Sequence, residues 1–105
     1  MKFTVITPTW NQAKYIKDTI ESVITQTHKD LEYIIVDNNS DDGTKEIVEG
    51  YMAKDPRIIY IREEDHGQAE AINKGFERAS GDIVCWLNSD DFFADDKVFE
   101  RVNKS

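Results

Sequence analysis

In residues 81–91, a turn glycine and an aspartate lead into five apolar residues without a charge, and two adjacent carboxylates close the stretch. An apolar run of this length, bounded by turn and acidic residues, is typical of a strand buried on both faces, as in a parallel sheet. Asp90 and Asp91 then lie at the carboxyl end of the strand, where open α/β sheets bind ligands. Because adjacent carboxylates repel each other unless a cation compensates them, we expect this pair to hold Mn²⁺ or Mg²⁺.

Strand and helix patterns alternate along the rest of the chain. Apolar, β-rich runs predict strands over residues 3–7, 31–36 and 57–62, and we expect the first to stop at Pro8. Apolar residues at helical spacing predict three intervening helices with these core positions: Ile16, Ile20, Val23 and Ile24; Ile47, Val48, Tyr51 and Met52; Ala69, Ile72, Phe76 and Ala79. Asp95-Asp96 predicts the start of a further short helix. This order predicts an α/β fold, a Rossmann-like and mostly parallel sheet with helices on both faces.

Length and charge limit what such a chain can bind. At 105 residues there is room for one domain with one core. The net charge is −8 and the basic residues do not cluster, so nucleic acid is not an expected partner, and an anionic ligand would need a cation beside it. Cys85 is the single cysteine and is predicted to be a small core residue, so no intrachain disulfide can form.

Polar loops follow the predicted strands, and in a doubly wound sheet we expect the loops at residues 8–11, 37–41 and 88–91 to be neighbours. A pocket for a nucleobase needs an apolar plane and hydrogen-bonding groups at the edge of the ring. Trp10 can supply the plane, and Asp37 or Asn38 the edge contacts. Asp90 or Asp91 can supply the oxygen ligands for a metal ion on a diphosphate.

Four motifs follow one another along nearly the whole chain. They are Val5-Ile6-Thr7-Pro8-Thr9-Trp10-Asn11; Ile34-Ile35-Val36-Asp37-Asn38-Asn39-Ser40-Asp41-Asp42-Gly43-Thr44; Gly67-Gln68 with Ala71-Ile72-Asn73-Lys74-Gly75; and Gly81-Asp82-Ile83 to Leu87-Asn88-Ser89-Asp90-Asp91. In this order and spacing the chain resembles the nucleotide-sugar-binding half of the family-2 inverting glycosyltransferases, which have the GT-A fold. The resemblance implies that residues 1–105 form one nucleotide-sugar-binding domain, the N-terminal portion of a longer glycosyltransferase of cell-envelope polysaccharide biosynthesis.

The resemblance also implies roles for individual residues. Trp10 takes the position of the aromatic residue that stacks on the base, and Asp37 with Asn38 lies where paired acids contact the nucleoside. Asp90 falls on the metal-binding aspartate, with Asp91 beside it. The implied nucleotide-binding residues are Pro8, Thr9, Trp10, Asn11, Asp37, Asn38, Gln68, Asn73, Asn88 and Ser89.

Departures from the family pattern concern charge and the general base. Asn38 and Asn88 stand where the family often has aspartate, and an amide is a poor substitute for a charged metal ligand. The family's general base lies farther along, which places it beyond Ser105, so this chain alone is expected to bind donor without turning it over. The implied partners are a nucleotide-diphospho-sugar, for which uridine is the expected nucleoside, and a carbohydrate or lipid-linked acceptor bound through the missing half. Apolar surface left open by that half would favour a homo-oligomer.

Other functions remain as alternatives. A non-catalytic α/β module such as a receiver would need an acidic pocket after the first strand, and no acid follows that strand until Asp18. A nucleotidyltransferase usually carries a basic, glycine-rich triphosphate loop, and a dinucleotide oxidoreductase a Gly-x-Gly-x-x-Gly turn; the sequence has neither. A folded fragment without turnover is a further alternative. No window of the sequence reaches ~18 apolar residues, so we expect a cytoplasmic location, at the cytoplasmic face of the membrane in the full-length protein.

Overall fold

A computed structural model describes residues 2–64 and 67–89 of the chain. Strands and helices alternate throughout this part, as predicted. The elements are β1 (Phe3–Thr9), α1 (Ala13–Ile24), β2 (Leu31–Asp37), α2 (Thr44–Met52), β3 (Ile58–Arg62), α3 (Gln68–Arg78) and β4 (Ile83–Trp86). The helix predicted after Asp95-Asp96 lies outside the described residues. No helix of the described part is long and apolar enough to cross a membrane.

The strands form one parallel sheet in the order β3-β2-β1-β4. The chain first moves outward from β1 through β2 to β3, and then returns to place β4 on the other side of β1. The strand order therefore reverses between β1 and β4, and the carboxyl ends at such a switch point form a crevice. The predicted doubly wound topology is confirmed.

Helices cover both faces of the sheet. On one face, α1 and α2 pack on alternate residues of β1 and β2, in a cluster that includes Phe3, Val5, Ile16, Ile20, Val23, Leu31, Tyr33, Ile35 and Val48. On the opposite face, α3 contributes Ala71 to a smaller cluster with Ile6, Ile34 and Val36. The alternation follows from the period of two along each strand, which sends successive side chains to opposite faces.

The prediction that β1 stops at Pro8 is wrong. The strand continues to Thr9, and Pro8 lies opposite Val36 of β2. Ile6 O accepts a hydrogen bond from Leu87 N, whereas Thr9 O accepts one from Asn38 N, so alternate residues of β1 face β4 and β2. Pro8 has the same parity as Ile6, and it lies past the last pairing of β1 with β4. Its missing N–H therefore removes no bond from either ladder.

The predicted core face of α3 is confirmed only in part: Ala79 packs against the smaller cluster and Ile72 is partly buried, but Ala69 is exposed. Phe76 is 44% exposed, and Ala71 and Gly75 are the residues buried against the sheet. A Cβ added at Gly75 would lie 2.5 Å from Cγ2 of Ile6, so the helix backbone approaches the sheet too closely for any side chain there. The helical spacing placed Phe76 on the core face, but a helix packed at this distance from the sheet admits only small residues there.

β4 is not buried on both faces as predicted. It forms one edge of the described sheet, paired only with β1, and Trp86 at its end is 55% exposed. Cys85 is partly buried, and this burial raises the pKa of its thiol. The apolar run identified a strand correctly, but its composition could not show how much of the strand other elements cover.

A buried carboxylate anchors β4 at the amino end of the sheet. Glu32 Oε1 accepts hydrogen bonds from Thr4 Oγ1 at 2.7 Å and Ser80 N at 2.6 Å, and its Oε2 accepts one from Ser80 Oγ at 3.0 Å. Burial alone would raise the pKa of Glu32, but the hydrogen bonds from Thr4 and Ser80, with the charge of Lys2, outweigh it and hold the pKa below its usual value. The turn before β4 is thus tied to β1 and β2.

Candidate functional site

The polar loops after β1, β2 and β4 meet at the carboxyl edge of the sheet because β2, β1 and β4 are neighbours. The predicted residues 8–11, 37–38 and 88–89 belong to these loops or to the strand ends that lead into them. Gln68 is the first residue of α3. Asn73 is exposed and lies five residues into that helix, about 7.5 Å farther along its axis. The loops are brought together as predicted, with Asn73 set back from them.

Asp37, predicted as a contact to the edge of a base, is fully buried. Its Oδ1 accepts hydrogen bonds from Ser40 N at 3.0 Å and Ser40 Oγ at 2.5 Å. Its Oδ2 accepts a short hydrogen bond from the Tyr60 hydroxyl. Burial, together with this bond to a carboxylate, raises the pKa of Tyr60. Both oxygens of Asp37 therefore have partners inside the protein.

Ser40 joins the loop after β2 to the loop after β1. Its Oγ accepts a hydrogen bond from Asn11 N at 2.8 Å, and in return Asn11 Oδ1 accepts one from Asp41 N at 2.9 Å. Asn11 has a φ of 50°, in the left-handed region that asparagine tolerates better than most residues. Arg62 Nη2 donates to Ser40 O at 2.7 Å and holds the second loop against β3.

Asp42 adds a further link between the two loops. Its Oδ2 accepts a hydrogen bond from the backbone N–H of Ala13, the first residue of α1, at 3.0 Å. Its Oδ1 accepts from Thr44 N at 3.2 Å and Thr44 Oγ1 at 2.6 Å at the start of α2. The hydrogen bond from the Thr44 side chain is the main reason why the pKa of Asp42 is lowered. One carboxylate thus satisfies free N–H groups at two helix starts.

Sequence reasoning did not single out Ser40 or Asp42 for these roles. A cluster of Asn, Ser and Asp before a helix is typical of a turn and a helix cap. Its second set of partners lies about thirty residues earlier in the chain, where no local pattern could indicate it.

Trp10 and Thr9 face opposite environments at the end of β1. Trp10 is 60% exposed, so it is not part of the hydrophobic core. Thr9 is 6% exposed, and its Oγ1 is a buried polar atom without a hydrogen-bond partner in the described part of the chain. Because buried hydroxyls are nearly always paired, we expect the partner of Thr9 Oγ1 to lie outside the described residues, in a ligand, a water molecule or another part of the chain.

The loop after β4 is fastened to α1. Thr19 Oγ1 donates a hydrogen bond to Ser89 O at 3.0 Å, and Ser89 is buried. Asn88 is partly buried. The predicted metal ligands Asp90 and Asp91 follow directly in the sequence but lie outside the described residues. Within residues 2–64 and 67–89, the structure contains no cluster of three or more His, Cys, Asp or Glu side chains suited to a metal ion.

Sequence comparison identifies the family of this chain. Residues 4–104 match the family model described as glycosyl transferase family 2. TuaG of Bacillus subtilis (strain 168), whose name assigns it to teichuronic acid biosynthesis, is 47% identical over 101 residues, or 94% of this chain. The glycosyltransferase GlyA of Streptococcus pneumoniae is 38% identical over 97 residues, or 92% of this chain. The chain spans 40% of the length of TuaG and 14% of that of GlyA.

Solved structures share the fold. TarS 1–349 of S. aureus in complex with UDP-GlcNAc superposes with a TM-score of 0.90 at 30% identity, over 99% of this chain and 30% of that one. The mannosyltransferase PcManGT of Pyrobaculum calidifontis in complex with GDP-Man and Mn²⁺ gives 0.81 at 31% identity, over 88% of this chain and 28% of that one. The fold is therefore that of the GT-A glycosyltransferases. The chain belongs to glycosyl transferase family 2, which confirms the resemblance carried by its four motifs.

Proposed function

We propose that residues 1–105 form the donor-binding part of a longer inverting glycosyltransferase. In this proposal the crevice at the carboxyl ends of β1, β2 and β4 binds a nucleotide-diphospho-sugar, and the sugar passes to an acceptor hydroxyl. The observation that carries the proposal is the exposed Trp10 at the switch point of the sheet, whose neighbour Asn11 is hydrogen-bonded to the loop after β2, in a chain of glycosyl transferase family 2. The complexes of TarS with UDP-GlcNAc and of PcManGT with GDP-Man support a nucleotide sugar as the ligand.

The nucleoside occupies the first two loops in this proposal. Trp10 supplies a face on which the base stacks. Thr9 Oγ1, which is buried at the same strand end and has no partner within residues 2–64 and 67–89, supplies a hydrogen-bonding group beneath the loop. Asn38 supplies the edge contact, because its amide can both donate and accept. We propose a uridine nucleotide, which the TarS complexes with UDP-GlcNAc and with UDP support.

Asp90 and Asp91 would hold a divalent metal ion, Mn²⁺ or Mg²⁺. Two carboxylates suit such an ion, which takes oxygen ligands and completes its shell with phosphate oxygens and water. Asn88 can add only a neutral amide oxygen. When bound, the ion would neutralise charge on the diphosphate leaving group, which a chain with a net charge of −8 would otherwise repel. The Mn²⁺ in the PcManGT complex supports this assignment.

The remaining parts of the reaction are assigned to sequence beyond residue 105. The relatives are longer than this chain, and we propose that the corresponding segment of the whole protein supplies the general base and the acceptor site. We propose a cell-envelope polysaccharide or its lipid-linked precursor as the acceptor, and a place at the cytoplasmic face of the membrane. The name of TuaG, which refers to teichuronic acid biosynthesis, supports the polysaccharide. Residues 1–105 alone are then expected to bind donor without transferring it.

Calorimetric titration tests the donor site. The chain is titrated with UDP, GDP and ADP, each with and without Mn²⁺. We expect UDP to bind only when Mn²⁺ is present, and Asp90→Asn to weaken that binding at least tenfold. Asp30→Asn is the matched control, because it removes the same charge from an exposed position just before β2, at the opposite end of the sheet. Equal affinities for the two variants would refute the metal assignment, and no binding of any nucleotide would refute the donor site.

A further inference from the structure

We propose that Ser40 is a positioning residue that holds Trp10 in place for its nucleotide. Its hydroxyl group links the buried Asp37 to the backbone of Asn11, the residue that follows Trp10. This inference rests on the proposed function in one respect, namely that Trp10 is the surface on which the base stacks.

Asp37 fixes Ser40 through two hydrogen bonds. Asp37 is fully buried, and its Oδ1 accepts from both the N–H and the hydroxyl of Ser40, at 3.0 and 2.5 Å. Tyr60 occupies the other carboxylate oxygen. A carboxylate can only accept, so the Ser40 hydroxyl proton must point toward Asp37. Asp37 therefore fixes the orientation of this hydroxyl group rather than presenting its own oxygens to a ligand.

Ser40 in turn binds the backbone of Asn11. With its proton directed at Asp37, Ser40 Oγ is free to accept, and it receives the Asn11 N–H at 2.8 Å. Donation to a carboxylate polarises the hydroxyl and strengthens this second bond. The Asn11 side chain returns to the same loop by accepting from Asp41 N at 2.9 Å. These two bonds hold Asn11 at its left-handed φ of 50°.

Trp10 lies between two residues that are hydrogen-bonded to the loop after β2. On one side of it Thr9 O accepts from Asn38 N at 3.0 Å, and on the other side lies Asn11. Both neighbours of Trp10 are thus bonded to the loop after β2. The indole is largely exposed, so burial contributes little to its position, and the hydrogen-bonded backbone on both sides fixes the direction of its Cα–Cβ bond. Because Ser40 is itself buried, it affects a bound ligand through Trp10 rather than by direct contact.

Fluorescence of the free protein tests the positioning directly. The chain contains two tryptophans, so Trp86→Phe leaves Trp10 as the only one. In that background we expect Ser40→Ala to lower the fluorescence anisotropy of Trp10. Ser80→Ala is the matched control, because the Ser80 hydroxyl also donates to a buried carboxylate, that of Glu32, but at the opposite end of the sheet. Unchanged anisotropy in Ser40→Ala, or an equal decrease in both variants, would overturn the inference whatever nucleotide the protein binds.

A double-mutant cycle tests the consequence for binding. With UDP and Mn²⁺ as the probe, Ser40→Ala is expected to raise Kd by about 3- to 10-fold, the usual effect of one lost hydrogen bond. In a Trp10→Ala background the same substitution should have no further effect, since its route to the ligand is gone. Equal effects in both backgrounds would overturn the inference while leaving the donor site intact. If the unsubstituted chain binds no nucleotide, the proposed function fails, and the anisotropy measurement still decides the role of Ser40. Should Ser40→Ala not fold, Ser40→Cys, which replaces the hydroxyl group by a somewhat larger and weakly hydrogen-bonding thiol, takes its place in both measurements.

Discussion

Gly75→Ala and Gly50→Ala add the same methyl group to two helices, with opposite expected effects on the free energy of unfolding. Gly50 lies in α2, and a Cβ there would have no neighbour within 4 Å. Gly75 lies in α3, and a Cβ there would lie 2.5 Å from Cγ2 of Ile6 and 2.9 Å from its Cγ1 and Cδ1. Ile6 is fully buried and has no open space to move into without disturbing its neighbours.

The magnitudes follow from two opposing contributions. Replacing glycine by alanine within a helix stabilises by roughly 0.5–1 kcal/mol in either position. Overpacking a core by one methyl group costs about 1–3 kcal/mol. Gly50→Ala should therefore stabilise the protein, and Gly75→Ala should be less stable than Gly50→Ala by about 1–3 kcal/mol.

Urea denaturation monitored by circular dichroism measures both variants, with the slope m checked for constancy. A double-mutant cycle adds the decisive control: Ile6→Ala removes all three contacting atoms, so Gly75→Ala should cost much less in that background. If Gly75→Ala were as stable as Gly50→Ala, the close approach of α3 to the sheet would be refuted.

Three further substitutions test other parts of the structure. Gly81→Ala would place a Cβ 2.5 Å from Thr4 Oγ1 and 2.8 Å from Thr4 N. Because the backbone of β1 cannot move away, we expect the free energy of unfolding to fall by about 1–3 kcal/mol, measured by urea denaturation. Wild-type stability would contradict this packing. Glu32 has a lowered pKa, so its carboxylate stabilises the fold above its usual pKa of 4.5, and that contribution is lost as the pH falls through the lower folded-state value. Glu32→Gln should therefore be less stable than wild type at pH 7, and the gap should close below pH 4.5 in urea titrations run across pH; a gap independent of pH would disprove the role of the charge. Trp10→Ala should weaken UDP binding by ~1–3 kcal/mol in calorimetry with little change in the thermal midpoint, whereas an unchanged Kd would make Trp10 a bystander.

The candidate site shows where sequence reasoning was sufficient and where it was not. Its location followed from general rules, because alternating strands and helices build a parallel sheet and the carboxyl ends of neighbouring strands share one edge. The division of labour between adjacent residues did not follow. Asp37 and Asn38 are neighbours in one polar turn, yet Asp37 is fully buried and Asn38 only partly so. Which of two adjacent polar side chains turns inward depends on partners such as Tyr60, which is 23 residues away in the sequence.

By itself, the sequence determined the elements of this protein, their order, the family and the edge of the sheet at which polar residues gather. These properties depend on local periodicity, turn residues and short motifs, all of which are written in consecutive positions. Only the tertiary structure decided that β1 runs through Pro8, that α3 packs by Gly75 rather than Phe76, and that Ser40 bonds to Asn11. Each of these depends on the distance between two elements far apart in the chain, and that distance is set by how whole faces pack, which no single segment encodes.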